Sequence, residues 1–135
     1  MQYAIRDTRR EANVKDFRRL EVWEKAHQMV LAVYRATNSL PRFELYGLTS
    51  QIRRAAASIP ANIAEGCGRM TDGDFARFLQ IAMGSATELD YHLLLAKDLG
   101  FLSECDYQNL SQMVHRVKSM LAPLIRKVEG DRARV

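Results

Sequence analysis

Five polar residues, Gln51, Arg54, Ser58, Asn62 and Glu65, recur at spacings of three and four and so share one face of a helix. Ser85, Glu88 and His92 repeat the pattern further along. Two chemistries fit these residue types at these spacings. Glu65 and Glu88 as acid/base groups, with Arg54 as an anion clamp, would make a recessed catalytic site. Alternatively, Gln51, Arg54, Ser58, Asn62, Glu65, Ser85 and Glu88 form a buried hydrogen-bond network that sets the register between two helices. The second reading is preferred, because no nucleophile, base and orienting group emerge as a set. On that reading Glu65→Ala costs about 1–3 kcal/mol through partners left unpaired.

The same stripe contains Pro60. An interior proline costs a helix about 3 kcal/mol, through a lost N–H bond and a ring clash. The polar network is therefore expected to satisfy backbone groups that Pro60 releases. Just beyond it, Gly66, Cys67, Gly68, Arg69 and Gly73 superficially make a glycine-rich phosphate loop. No strand precedes them and no Gly-Lys-Ser/Thr follows. A helix end with a left-handed glycine cap, followed by a new helix start, accounts for the same residues. Anion binding at the N-terminus of that new helix, with Arg69 nearby, is the less favoured alternative. Cys67 and Cys105 are too few for a disulfide framework and read as reduced thiols. His27, His92 and His115 are scattered, so neither a metal nor another cofactor is expected.

The elements that must position these residues are helices. No alternating runs or hairpin turns mark strands. The first helix carries Trp23, Ala26, Val30, Val33, Thr37 and Leu40 on one stripe and ends before Pro41. The second carries Leu48, Ile52, Ala55, Ile59 and Ile63 and stops at Gly66. Thr71 to Asp74 resembles a capping box, opening a third helix from about Asp74 to Leu99, closed by Gly100. Ser103 to Asp106 repeats that cap before a seam of Tyr107, Leu110, Val114, Val117, Leu121, Leu124 and Val128, which Pro123 is expected to kink. Long helices with short links predict an all-α fold, an antiparallel up-and-down four-helix bundle. The expected division is a basic, flexible arm over 1–16, the bundle over 17–129 and a tail over 130–135.

The third helix is apolar on more than one side. Phe75, Phe78, Ala82 and Leu89 form one face, Leu79, Met83, Ala86 and Leu93 another, and Leu94, Leu95 and Ala96 extend them. A helix apolar all round is buried all round. The surplus predicts a homo-oligomer, with Leu79, Met83, Leu94 and Leu95 as interface candidates.

The 135 residues carry 47% apolar and 27% charged side chains, ordinary for one globular domain. No run of about 18 apolar residues offers a membrane span, and no signal-peptide core follows the basic start, so a cytoplasmic protein is expected. The net charge of +4 is uneven. Residues 1–19 hold Arg6, Arg9, Arg10, Lys15, Arg18 and Arg19 against three acids, and the segment beyond Pro123 adds Arg126, Lys127, Arg132 and Arg134. By contrast, the stretch from Arg69 to Asp98 is net acidic. Basic ends suit phosphate backbones, and Arg18, Arg19, Arg53, Arg69, Arg116, Lys118, Arg126 and Lys127 are the candidate contacts. Arg53 and Arg54 diverge by about 100°, so one pairs internally while the other reaches the surface. Aromatic interleaving of the kind found in single-strand platforms is not evident. Binding is therefore expected to be phosphate-driven and weakly selective.

Several stretches together resemble a known family. They are Phe17-Arg18-Arg19-Leu20-Glu21-Val22-Trp23, Leu40-Pro41, the run from Gly47 to Ala56, the run from Ser58 to Gly66, and Phe75, Phe78, Leu79, Ala82, Gly84, Ser85, Glu88 and Leu89. The family is that of the four-helix-bundle proteins named for intervening sequences in bacterial 23S ribosomal RNA genes. The resemblance implies a ring-like homopentamer without established enzymatic activity. A related group resembles the accessory variability proteins of diversity-generating retroelements, basic pentamers that bind nucleic acid and a reverse transcriptase. The leading expectation is thus a non-enzymatic oligomeric scaffold that engages RNA or DNA. The alternatives are a protein adaptor for a reverse transcriptase, a structural protein with no nucleic-acid role, and an enzyme using Glu65 and Glu88.

Overall fold

The computed structural model describes residues 16–133. Arg6, Arg9, Arg10, Lys15 and Arg134 lie outside the described residues. Four helices follow one another: α1 Glu21–Ala36, α2 Leu48–Cys67, α3 Asp72–Asp98 and α4 Glu104–Ala133. Among the described residues there is no strand, and short 3-10 turns occupy Phe17–Arg19, Thr37–Ser39 and Arg42–Glu44. α4 runs on past residue 129 and passes Pro123 as one continuous helix.

The core face of α1 is Val22, Ala26, Met29 and Val33, continued by Thr37 and Leu40 in the turn that follows. Trp23 and Val30, expected on this seam, are half-buried beside it. Periodicity located the stripe, but its rotation is off by one residue at two positions. The stripes of α2 and α4 fall where their spacing places them, except that Tyr107 at the start of the α4 seam is half-buried. Leu48, Ile52, Ala55, Ile59 and Ile63 are buried, as are Leu110, Val114, Val117, Leu121, Leu124 and Val128.

The N-terminus of α2 is capped from outside the helix. Gly47 at the cap position has no side chain to offer, and the Glu44 carboxylate accepts from the Leu48 N–H at 2.9 Å. A Cβ on Gly47 would stand 2.6 Å from that same oxygen, so the glycine makes room for the cap. Thr71 and Ser103 cap α3 and α4, accepting from the backbone N–H of Asp74 and Asp106 at 3.1 and 3.0 Å. The expected left-handed cap after α2 is absent. Gly66 lies inside the helix and Gly68 has φ −84°. That conformation occurs instead at Gly100 (φ 81°), where Phe101 and Gly100 donate back to the Ala96 and Lys97 carbonyls and close α3.

Each helix packs on two neighbours in the cyclic order α1, α2, α3, α4. α2 and α3 are antiparallel: Ser58 meets Ser85 across their interface, while Gly66 lies against Phe75 and Phe78. α3 and α4 run antiparallel too, with Asp90 beside His115 and Gln80 bonded to Glu129. This arrangement absorbs the surplus on α3. Phe75, Phe78, Ala82 and Leu89 are buried, and so are Leu79, Ala86, Leu93 and Ala96. A helix with two neighbours needs an apolar arc wide enough for both. Of the four proposed interface residues, Leu79 is fully buried inside the subunit and Met83 and Leu95 pack on the core margin. Only Leu94 is exposed, at 37%.

α1 is tied to α2 by one arginine. Arg53 Nε donates to Thr37 Oγ1 at 2.9 Å, and its Nη2 donates to Asn38 Oδ1 at 3.1 Å and the Tyr34 carbonyl at 3.4 Å. The guanidinium also sits 4.9 Å from the centre of the Tyr34 ring. Thr37 is buried and donates in turn to the Val33 carbonyl at 2.7 Å. A cation thus meets the carbonyl-rich end of α1, where the helix dipole favours it. Arg53 is the inward member of the adjacent pair and Arg54 the exposed one, the reverse of the roles assigned from sequence.

Two substitutions test this packing. A methyl group at Gly66 would lie 3.0 Å from Phe75 Cδ1 and Phe78 Cβ, so Gly66→Ala is expected to lower unfolding free energy by about 1–3 kcal/mol in urea titration. Arg53→Ala is expected to cost about 1–3 kcal/mol by the same measurement, whereas Arg54→Ala stays within about 0.5 kcal/mol.

Candidate nucleic-acid interface

The polar stripe of α2 does not form the buried network expected of it. Gln51, Arg54 and Glu65 are exposed. What remains is a half-buried trio in which Asn62 Nδ2 donates to the Ser58 carbonyl at 2.8 Å and Ser58 Oγ at 2.9 Å, and Ser58 Oγ meets Ser85 Oγ at 2.9 Å. The carbonyl deprived of its N–H by Pro60 belongs to Ala56, four residues back, so Asn62 does not serve it. The trio pins α2 to α3 rather than repairing the proline. Spacing placed Ser58, Asn62 and Ser85 at the interface but could not say which edge of the stripe faces inward.

The two carboxylates are surface residues with local partners. Glu65, 55% exposed, pairs with Arg69 one turn on at 2.8 Å. Glu88, 58% exposed, meets His92 Nε2 at 3.3 Å. From the Ser58–Ser85 contact, Glu65 lies seven residues along α2 and Glu88 three residues along the antiparallel α3. At 1.5 Å per residue they are roughly 15 Å apart along the bundle axis. A pair of acid/base carboxylates works at about 5–9.5 Å, so these two do not address one substrate bond.

The phosphate-loop reading fails for a steric reason: Gly66 is a buried helical residue packed on two phenylalanines. The N-terminus of α3 already carries Asp72 and Asp74 in its first turn, which oppose an incoming anion. An open cleft of about 370 Å³ beside it is lined by Thr71, Gly73, Asp74, Ala76, Arg77, Gln80 and Glu129, a mixed rather than a basic wall. Cys67 is buried and Cys105 is exposed. Among the described residues no three His, Cys, Asp or Glu side chains gather as a metal set, and no helix is long and apolar enough to cross a membrane.

The basic residues sort themselves by end of the bundle. With four antiparallel helices, the start of α1 and the end of α4 share one end with the α2–α3 link. Arg18, Arg19, Arg69, Arg126 and Lys127 therefore lie at that end. Arg77, hidden in sequence by the net-acidic segment around it, belongs with them. The Arg69 and Arg77 guanidinium carbons lie 4.7 and 4.5 Å from the centre of the Phe78 ring, so one ring contacts two cations. Arg116 and Lys118 sit in the middle of α4, exposed and half-buried respectively. Arg53 lies at the opposite end and is engaged by α1.

Aromatic rings accompany the cations after all. Phe17 and Trp23 are 4.8 Å apart, Trp23 and His27 5.0 Å apart with planes 7° from parallel, and Arg18 lies 4.5 Å over Phe17. The sequence signal was a four-residue step from Trp23 to His27, joined to Phe17 by the 3-10 turn. The opposite end presents Phe43 and Tyr46, 80% and 94% exposed. Because Glu65 is exposed and pairs with Arg69 just past the end of α2, Glu65→Ala is expected to shift stability by about 0.5 kcal/mol or less in thermal melts, against the larger loss anticipated from sequence.

Comparison with known proteins agrees with this architecture. A crystal structure of a protein of unknown function from the S23 ribosomal protein family of Bacteroides thetaiotaomicron superposes with a TM-score of 0.72. It is 24% identical, over 77% of this chain and 97% of that one, a likeness of fold. No curated protein matches the chain significantly. The family described as 23S rRNA-intervening sequence protein matches residues 18–123, from the first 3-10 turn to Pro123 in α4. With most of its length, including the bundle and its links, inside that match, the chain belongs to the 23S rRNA-intervening sequence protein family.

Proposed function

We propose that this protein is a non-catalytic cytoplasmic scaffold that binds RNA or DNA through the end of the bundle where α1 begins and α4 ends. The observation that carries the reading is the gathering of Arg18, Arg69, Arg77 and Arg126, all exposed, at that end. Their acidic neighbours are surface partners such as Glu65 and Asp16, and exposed ion pairs of this kind are weak enough to yield to phosphate. The separation of Glu65 from Glu88 supports a role without catalysis.

Self-assembly, as the ring-like homopentamer that the family resemblance implies, is part of the proposal. The support for it is Gly84, in the middle of α3, which is exposed and has nothing within 4 Å of the point where a side-chain methyl would stand. Glycine there costs the helix about 1 kcal/mol relative to alanine. Close approach of a second copy gives that cost a purpose. A second reading, favoured by the exposed Phe43 and Tyr46, is a protein adaptor whose partner, a reverse transcriptase for example, docks on the opposite end.

Titration of labelled RNA and DNA at several salt concentrations tests the main reading. Affinity is expected to fall steeply as salt rises, and no binding at low salt overturns it. Capture of a partner after nuclease treatment favours the adaptor instead. Light scattering is expected to return a multiple of 15.4 kDa that Gly84→Ala reduces, whereas the subunit mass for the wild type overturns assembly.

A further inference from the structure

We propose that the ladder Arg18, Phe17, Trp23 and His27 is a stacking platform for one unpaired nucleobase, which settles on the outer face of the His27 ring. The proposal rests on the nucleic-acid reading above and assigns it a site. Phe17 and Trp23 are half-buried against the core, so their rings are held in place by the bundle itself. His27 is exposed although one face of its ring lies parallel to Trp23 at 5.0 Å. Its exposure therefore belongs to the far face and the edges, where a further flat ring continues the stack. A surface fixed before binding gives up little freedom when the ligand arrives.

The occupant follows from charge. The Arg18 side chain is 70% exposed, and its 3.7 Å contact with Asp16 is long for an ion pair. It stands at one end of the ladder, over the Phe17 ring. Flat rings beside an exposed cation match a base joined to phosphates, because every base offers a π face and every linkage a negative charge. The exposed Glu21 is two residues before Trp23, about 160° around the helix, and does not face the ladder. Phe43 and Tyr46 at the other end are more exposed. Phe43, however, meets Phe101 edge-on at 6.0 Å, and Asp98 and Glu104 hold the nearby Lys97. Paired bases are sealed within a duplex, so the platform takes single strands and accepts RNA and DNA alike.

Trp23 is the one tryptophan of the chain, and its fluorescence reports on the ladder alone. Unstructured RNA, unstructured DNA and a duplex of equal length are titrated against the full chain, with Trp23 emission and strand anisotropy both followed. Both single strands are expected to change Trp23 emission on binding, and the duplex is not. His27→Ala is expected to weaken single-strand binding about tenfold while duplex binding and the salt dependence stay as in the wild type, and His27→Tyr restores it. Single-strand binding that leaves Trp23 emission and the His27→Ala affinity unchanged overturns the platform yet leaves phosphate-driven binding standing. No binding of any strand at low salt overturns both.

Discussion

The close approach of α2 and α3 at Gly66 is the constraint on which most of this structure depends. With no side chain at that position, Phe75 and Phe78 lie directly against the helix. That contact fixes how far one helix is slid along the other, and from it follows the meeting of Ser58 with Ser85 two turns away. Interiors this dense admit few alternatives, since a single added carbon has to be accommodated by its neighbours. The same contact orients Phe78 so that Arg69, from the α2–α3 link, and Arg77, from α3, share its ring. A packing requirement and a surface charge pattern thus have one origin.

Much of the fold was legible in the sequence because α2 and α4 bury residues of one type at regular steps. α1 shows where such reading stops. Trp23 and Val30 are as apolar as Val22 and Met29, so spacing could not choose the rotation, and packing against two neighbours did. Thr37 was placed on the stripe for its spacing, although its hydroxyl, bonded to the Val33 carbonyl and to Arg53, is what suits it to the core. Arg53 and Arg54 illustrate a different boundary. Adjacent residues must diverge, but which of them meets the end of α1 is decided by a contact sixteen residues back in the chain.

The candidate interface was less legible than the fold, because it is assembled from separate elements. Arg77 lay unnoticed among acids, and the Phe17–Trp23–His27 stack joins a 3-10 turn to a helix. Conversely, the most conspicuous polar pattern, from Gln51 to Glu65, turned out to border solvent along most of its length. Spacing identifies residues that share a face, and burial depends on what is laid against that face. The α3 surplus obeys the same logic: two apolar arcs serve two neighbours within one subunit, and Leu79 is used up inside it.

The cyclic order of the helices has a consequence for how the molecule is made. α1 leans on α2 and on α4, and α4 is the last of the four to be synthesised. A nascent chain that has released α1, α2 and α3 can already form the tight α2–α3 hairpin, whose contacts are local. Val22, Ala26, Met29 and Val33 then wait with one side of their cover missing until α4 arrives. During that interval the growing chain carries an open apolar flank, the kind of surface on which chaperones act. Closure of the ring by α4 makes completion of the fold wait on the last of the four helices rather than on the first three.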